Sequence, residues 1–220
     1  MITEVLDGLA STPMVGLYVG GMVFGMVLLG VLFARWKVVP RKYFIIHFLV
    51  MLWSGLVYTT MVVDIGLPYA PIYVDWIITT PLMILALGLS AHIGIRKNYP
   101  LIFGAVLIQV MIIGTGVVAH MLNQMEIFFV GMVFLLILLY VVWWPLRRVA
   151  KTGLKTYDTL AFFITIMWII YPLIWISGSM GLGLISQETT ANLFIAVPFL
   201  SKFGFAFLDL GLIRNSVIKF

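Results

Sequence analysis

A lysine stands in the middle of an apolar run, Ala196-Val197-Pro198-Phe199-Leu200-Ser201-Lys202-Phe203-Gly204-Phe205-Ala206-Phe207-Leu208-Asp209. A charged amine at the centre of a membrane helix costs roughly 2.5–3.5 kcal/mol on insertion scales. One reading is that Lys202 snorkels to the lipid surface, as lysines within a turn or so of a helix end commonly do. Its apolar segment extends at least ten residues to either side, which argues against that. The other reading is that the amine is used chemically, as an imine to a carbonyl cofactor held inside the membrane. Asp209 follows seven residues later, two helical turns on, on the same face and about 10 Å further along the axis. His47 and Asp75 also fall inside apolar segments. An unpaired charge is not tolerated in hydrocarbon, so all four residues are functional candidates.

The elements that must position them follow from composition. The chain has 220 residues, 63% of them hydrophobic and only 10% charged, with a mean hydropathy of +1.17. That excludes a soluble domain of this size and implies a polytopic membrane protein. With no cysteine, disulfides, zinc–thiolate sites and thiol catalysis are excluded. Seven apolar segments of spanning length can be drawn, roughly 13–34, 43–63, 71–91, 99–120, 126–146, 156–178 and 189–213. They are separated by turn formers or charge at Pro40, Gly66 with Pro68, Asn98 with Pro100, Asn123, Arg147-Arg148, and Gly181 with Gly183. The predicted fold is an all-α bundle of seven transmembrane helices, with residues 1–220 forming one domain. Met1-Ile2-Thr3-Glu4-Val5-Leu6-Asp7 has no basic n-region, so no cleaved signal peptide is expected.

The net charge of +5 is a topology signal before it is a partner signal. Arg35, Lys37, Arg41 and Lys42 lie between spans one and two, and Arg96 and Lys97 between three and four. Arg147, Arg148, Lys151 and Lys155 lie between five and six, while Arg214 and Lys219 follow span seven. The opposite loops carry only acids: Glu4, Asp7, Asp64, Glu126 and Glu188. The positive-inside rule then predicts an extracellular N-terminus and a cytoplasmic C-terminus in a multi-pass protein of the plasma membrane. No nucleic-acid partner is expected from basic loops placed in this way.

That orientation orders the buried charges by depth. Asp75, early in span three, lies toward the outside, and Lys202 lies at mid-membrane. His47, early in span two, and Asp209 lie toward the cytoplasm. The four form a proton ladder with the lysine in the middle. Helical periodicity points them to a common interior. His47, Met51, Ser54 and Tyr58 share one face of span two, Asp75, Thr79, Met83 and Ala86 one face of span three, and Trp168, Tyr171, Pro172 and Trp175 one face of span six. For the Met and Ser positions ordinary packing alone is the better explanation of the pattern. Pro81, Pro172 and Pro198 sit inside spans, where neighbours or water can satisfy the backbone groups they free.

At these residues the chain resembles the microbial (type 1) rhodopsins. Tyr73-Val74-Asp75-Trp76-Ile77-Ile78-Thr79-Thr80-Pro81-Leu82 is similar to their third helix, and Gly114-Thr115-Gly116 to their fourth. Trp168-x-x-Tyr171-Pro172-x-x-Trp175 resembles their sixth helix, and the Lys202 stretch their retinal-binding seventh. The resemblance implies all-trans retinal bound covalently to Lys202 as a protonated Schiff base, with Asp75 as counterion. It implies a retinal site of Lys202, Trp76, Thr79, Gly114, Trp168, Tyr171, Trp175 and Pro198, with Gly114 leaving room for the ring end. It also implies a homo-oligomer in the lipid bilayer, and no enzyme, since the cofactor is not turned over.

Departures from the outward proton-pumping pattern narrow the reading. Pro198 stands where those pumps carry a second aspartate, Ile72 where they carry an arginine, and Ala86 where they carry a cytoplasmic carboxylate. Asp209 has no equivalent in them. The proline and the added aspartate resemble the xenorhodopsins and the related cyanobacterial sensory rhodopsin. Ile45-Ile46-His47-Phe48 and Trp53-Ser54-Gly55-Leu56 strengthen the first of these. The resemblance therefore implies a light-driven inward proton pump, with Asp75 outside and His47 and Asp209 as cytoplasmic acceptor. The alternatives are a photosensor signalling to a soluble transducer, an outward pump disfavoured by Ala86 and Pro198, and a non-photochemical channel or scaffold.

Overall fold

A computed structural model describes residues 13–63, 71–91, 97–122, 124–150, 154–178 and 181–218. Glu4, Asp7, Asp64, Gly66, Pro68, Arg96, Asn123, Lys151 and Lys219, used above for topology, lie outside the described residues. Seven helices are long and apolar enough to cross a membrane. They are α1 (Pro13–Arg35), α2 (Arg41–Val62), α3 (Pro71–Ser90), α4 (Tyr99–Leu122), α5 (Met125–Val149), α6 (Leu154–Ser177) and α7 (Gln187–Ile218). No strand occurs among the described residues.

Prolines mark several starts. Pro13 and Pro71 are first residues of their helices and Pro40 caps α2. At a first helical position the missing N–H would have had no intrahelical partner. The descent from α6 is closed by glycine. Gly183 has φ 65°, a conformation that a Cβ disfavours, and the N–H of Gly183 and Leu184 bond back to the carbonyls of Gly178 and Ser177. The α5 ladder changes register near its end. Val142–Leu146, which contains Pro145, is wound as a π-helix, and the chain continues as one α-helical turn, Arg147–Val149.

Each helix packs against its neighbour in sequence, and α7 closes the bundle against α1, α2 and α6. Over its apolar window α7 is 56% buried and α2 and α3 are each 50% buried, against 22% for α1 and for α4. The interior is therefore built chiefly from α2, α3 and α7. Large apolar side chains such as Leu17, Leu136 and Leu173 remain exposed on the outer faces, as expected where lipid is the solvent. The alternating chain direction gathers Lys37, Lys97, Arg147, Arg148, Lys155 and Arg214 at one end of the bundle, the basic end.

Candidate functional site

Lys202 and Asp75 meet inside the bundle. Lys202 is 3% exposed and Asp75 fully buried. The lysine Nζ donates a hydrogen bond to Asp75 Oδ2 and forms an ion pair with it. Among the described residues Lys202 is the only buried Lys or Arg. Nζ also donates to Tyr18 Oη at 3.1 Å, and that phenol is hydrogen-bonded to Ser54 Oγ at 2.5 Å. Tyr18 stacks on Tyr58 with ring centroids 4.0 Å apart. Four helices thus converge on one amine: α1 through Tyr18, α2 through Ser54 and Tyr58, α3 through Asp75, and α7 through Lys202 itself. Asp75 Oδ1 and the Tyr58 hydroxyl have no hydrogen-bond partner here.

Beside this centre lies a partly open, largely apolar cavity. Its walls include Trp76 of α3, Trp168, Tyr171, Pro172 and Trp175 of α6, and Phe128 of α5. Trp76 packs edge-on against Tyr171 at 4.8 Å, and Trp175 stacks on Phe128 at 3.9 Å. Flat, stiff rings on opposing helices leave an apolar space suited to an elongated hydrophobic group. Gly116 and Gly131 hold parts of the wall free of side chains. A Cβ at Gly131 would come 2.6 Å from Thr115 Oγ1, and one at Gly116 3.1 Å from the Tyr73 ring.

A second polar centre lies toward the basic end. His47 Nε2 and Asp209 Oδ2 are 2.7 Å apart, with His47 1% exposed and Asp209 fully buried. This pair joins α2 to α7, as Ser54, Tyr18 and Lys202 do one level away. Seven residues separate Ser54 from His47, and seven separate Lys202 from Asp209. Each interval is about 10 Å of helix. The two polar levels therefore face one another as parallel rungs. Between them are Met51, Phe205 and Ala206, none more than 1% exposed. Phe205 lies edge-on to the His47 ring at 5.7 Å. Asp209 Oδ1 has no partner.

Of the residues singled out in the sequence, Trp76, Trp168, Tyr171 and Trp175 stand on the cavity wall, whereas Thr79, Gly114 and Pro198 do not. Thr79 is buried, and its hydroxyl donates to the Asp75 backbone carbonyl at 2.9 Å. Pro198 is buried in α7, one turn before Lys202. A Cβ on Gly114 would meet nothing within 4 Å. Sequence reasoning missed Tyr18, because a tyrosine in an apolar segment carries no charge penalty to betray it. It also missed Gln109, whose Nε2 donates to Thr80 Oγ1 at 2.9 Å across α4 and α3 on the cavity wall. A buried amide in an otherwise apolar span was the available signal.

Residues 9–216 match the family described as bacteriorhodopsin-like protein. Bacteriorhodopsin-I of Haloarcula marismortui is 32% identical over 193 residues, covering 76% of each chain. Sensory rhodopsin-2 of Natronomonas pharaonis is 33% identical over 150 residues, 64% of this chain and 61% of its own. Among solved structures, a xenorhodopsin described as an inward H+ pump superposes with a TM-score of 0.86 at 30% identity, covering 96% of this chain and 99% of that one. The thermophilic rhodopsin of Rubrobacter xylanophilus gives 0.83 at 26% identity, with 96% and 97% covered. Microbial rhodopsins bind retinal covalently through a Schiff base to a lysine, and act as ion pumps or sensors rather than enzymes. The buried Lys202 amine and the apolar, aromatic-walled cavity beside it suit that group. The chain belongs to the bacteriorhodopsin-like family and is a seven-helix retinal protein of the membrane.

Proposed function

We propose that this rhodopsin is a light-driven proton pump that carries H+ from the outside to the cytoplasm. The observation that carries the reading is the buried His47–Asp209 pair, 2.7 Å apart and about 10 Å along α7 from Lys202. The basic end of the bundle is taken as cytoplasmic by the positive-inside rule. Bound retinal supplies one thing, a light-driven isomerisation that reorients the bond carrying the Lys202 nitrogen proton.

The protein's own groups do the rest. Asp75 holds negative charge beside Nζ and keeps the proton there in the dark. His47 and Asp209 supply the place to which the proton goes. No such acceptor stands at Ala86, which is fully buried among apolar side chains. Reprotonation comes from the side of Asp75. Similarity to the structure described as an inward H+ pump supports the same direction.

Illumination of cells carrying the protein should alkalinise the medium, and a protonophore should abolish the change. Acidification would reverse the assignment, and no change would favour the photosensor. Asp209→Asn should keep the visible band and suppress or greatly slow inward transport. Transport at the unmodified rate by a folded, retinal-bound Asp209→Asn would remove the acceptor from His47–Asp209.

A further inference from the structure

We infer that Tyr18 is a positioning residue for the retinal-linked nitrogen, a second hydrogen-bond acceptor that competes with Asp75 for the Lys202 N–H. Helix α1 is otherwise peripheral, with 22% of its apolar window buried, yet Tyr18 is only 2% exposed. Its hydroxyl lies 3.1 Å from Nζ and 2.5 Å from Ser54 Oγ. Its ring is clamped between the stacked Tyr58 and the edge of Phe199, 6.1 Å away between centroids. A side chain held on two faces and at its polar tip has little freedom to turn away.

Donor and acceptor counting fixes the sense of the bond from Nζ. An ammonium or protonated imine only donates, and a phenol has one proton and two lone pairs. Tyr18 therefore accepts from Nζ. The bond to Ser54 Oγ, in which either oxygen can donate, lets the Tyr18 proton go to the serine. That assignment aims a lone pair at Nζ. A lysine amine has protons for both Asp75 and Tyr18, whereas the imine nitrogen in the linked state has a single proton. The two acceptors then compete, and they stand on different helices. Tyr18 thereby sets how much of that proton Asp75 holds, and offers the N–H a second direction when the Asp75 pairing is broken.

The inference rests on the retinal linkage at Lys202 and is independent of the direction of transport. Its test is Tyr18→Phe, which keeps the stacked ring and removes only the oxygen. In the retinal-bound protein, the C=N stretch should change its shift between H2O and D2O, because that shift reports the hydrogen bonding of the N–H. The visible band should move to the red by less than in Asp75→Asn, because an oxygen dipole stabilising charge at the nitrogen is weaker than a carboxylate. A light-minus-dark infrared signal sensitive to ring-deuterated tyrosine should be present in the unmodified protein and lost in Tyr18→Phe. An unchanged isotope shift and band in Tyr18→Phe, alongside a shifted band in Asp75→Asn, would overturn the role of Tyr18 and leave the Lys202–Asp75 centre intact. Silence in both variants would overturn the whole arrangement around Nζ. If Tyr18→Phe does not assemble with retinal, Ser54→Ala serves instead. Loss of the Tyr18–Ser54 hydrogen bond should displace the tyrosine infrared signal, and an undisplaced signal would sink the inference.

Discussion

At the level of single residues, the centre of this protein is a problem in charge neutralisation. Lys202 brings a positive charge into the buried interior of the bundle, and Asp75 meets it with Oδ2. Neither is tolerable alone in hydrocarbon. Replacement of Lys202 by Ala should remove the visible absorption band, because no other buried amine occurs among the described residues. A covalent visible chromophore surviving in that variant would contradict the linkage. Asp75→Asn should keep the band but move it to longer wavelength. The carboxylate stabilises the ground state, whose positive charge sits at the nitrogen, more than the excited state, whose charge spreads along the polyene. An absorption spectrum of the purified variant decides it, and an unmoved maximum would mean that Asp75 is not the counterion.

Between helices, close approach matters more than charge. Helix α1 reaches the centre because glycine lets it. A Cβ on Gly21 would collide with the Phe199 ring of α7, and one on Gly25 would come 2.7 Å from Met51 Sδ of α2. The neighbouring Gly20 faces open space, with nothing within 4 Å. Two adjacent substitutions should therefore behave in opposite ways. Gly21→Ala should lower the temperature at which the retinal band bleaches, since overpacking typically costs about 1–3 kcal/mol. Gly20→Ala should leave that temperature unchanged or slightly raised, because Ala is the better helix former by roughly 1 kcal/mol. Equal bleaching temperatures would mean that α1 shifts freely against α7.

Much of the bundle is legible in the sequence, and the shortfalls have physical causes. Hydropathy marks spans where water ends, so the predicted 189–213 stops short of Gln187–Ile218. Helix α7 continues past the apolar region through Arg214 and Asn215, because backbone hydrogen bonding does not require hydrocarbon. The same holds for α5, drawn as 126–146 and found as Met125–Val149. At the site, a charge in an apolar segment announces itself one position at a time, which is how His47, Asp75, Lys202 and Asp209 can be named. Depth along the membrane places His47 level with Asp209, but contact between helices 162 residues apart in sequence is not encoded locally. Tyr18 and Gly131 are silent for a related reason. Their roles depend on what the neighbouring helix presents, Lys202 Nζ in one case and Thr115 in the other.

For the molecule as a whole, the asymmetry between the two ends of the bundle is what would give the proposed transport its direction. Basic side chains gather at one end, and that end also holds the His47–Asp209 pair. The layer between the two polar levels has a further consequence. Met51, Phe205 and Ala206 fill it, and no polar atom of theirs can hand on a proton. If the proposed pump is right, a water file must open that layer before a proton crosses, and opening a close-packed layer requires the protein to expand locally. The passage should therefore have a positive activation volume. Hydrostatic pressure applied to the retinal-bound protein should slow the light-triggered step that delivers the proton to His47–Asp209, while leaving the preceding photochemical step unaffected. Flash spectroscopy under pressure reads both, and a delivery rate indifferent to pressure would mean that a hydrated path already crosses the layer in the dark.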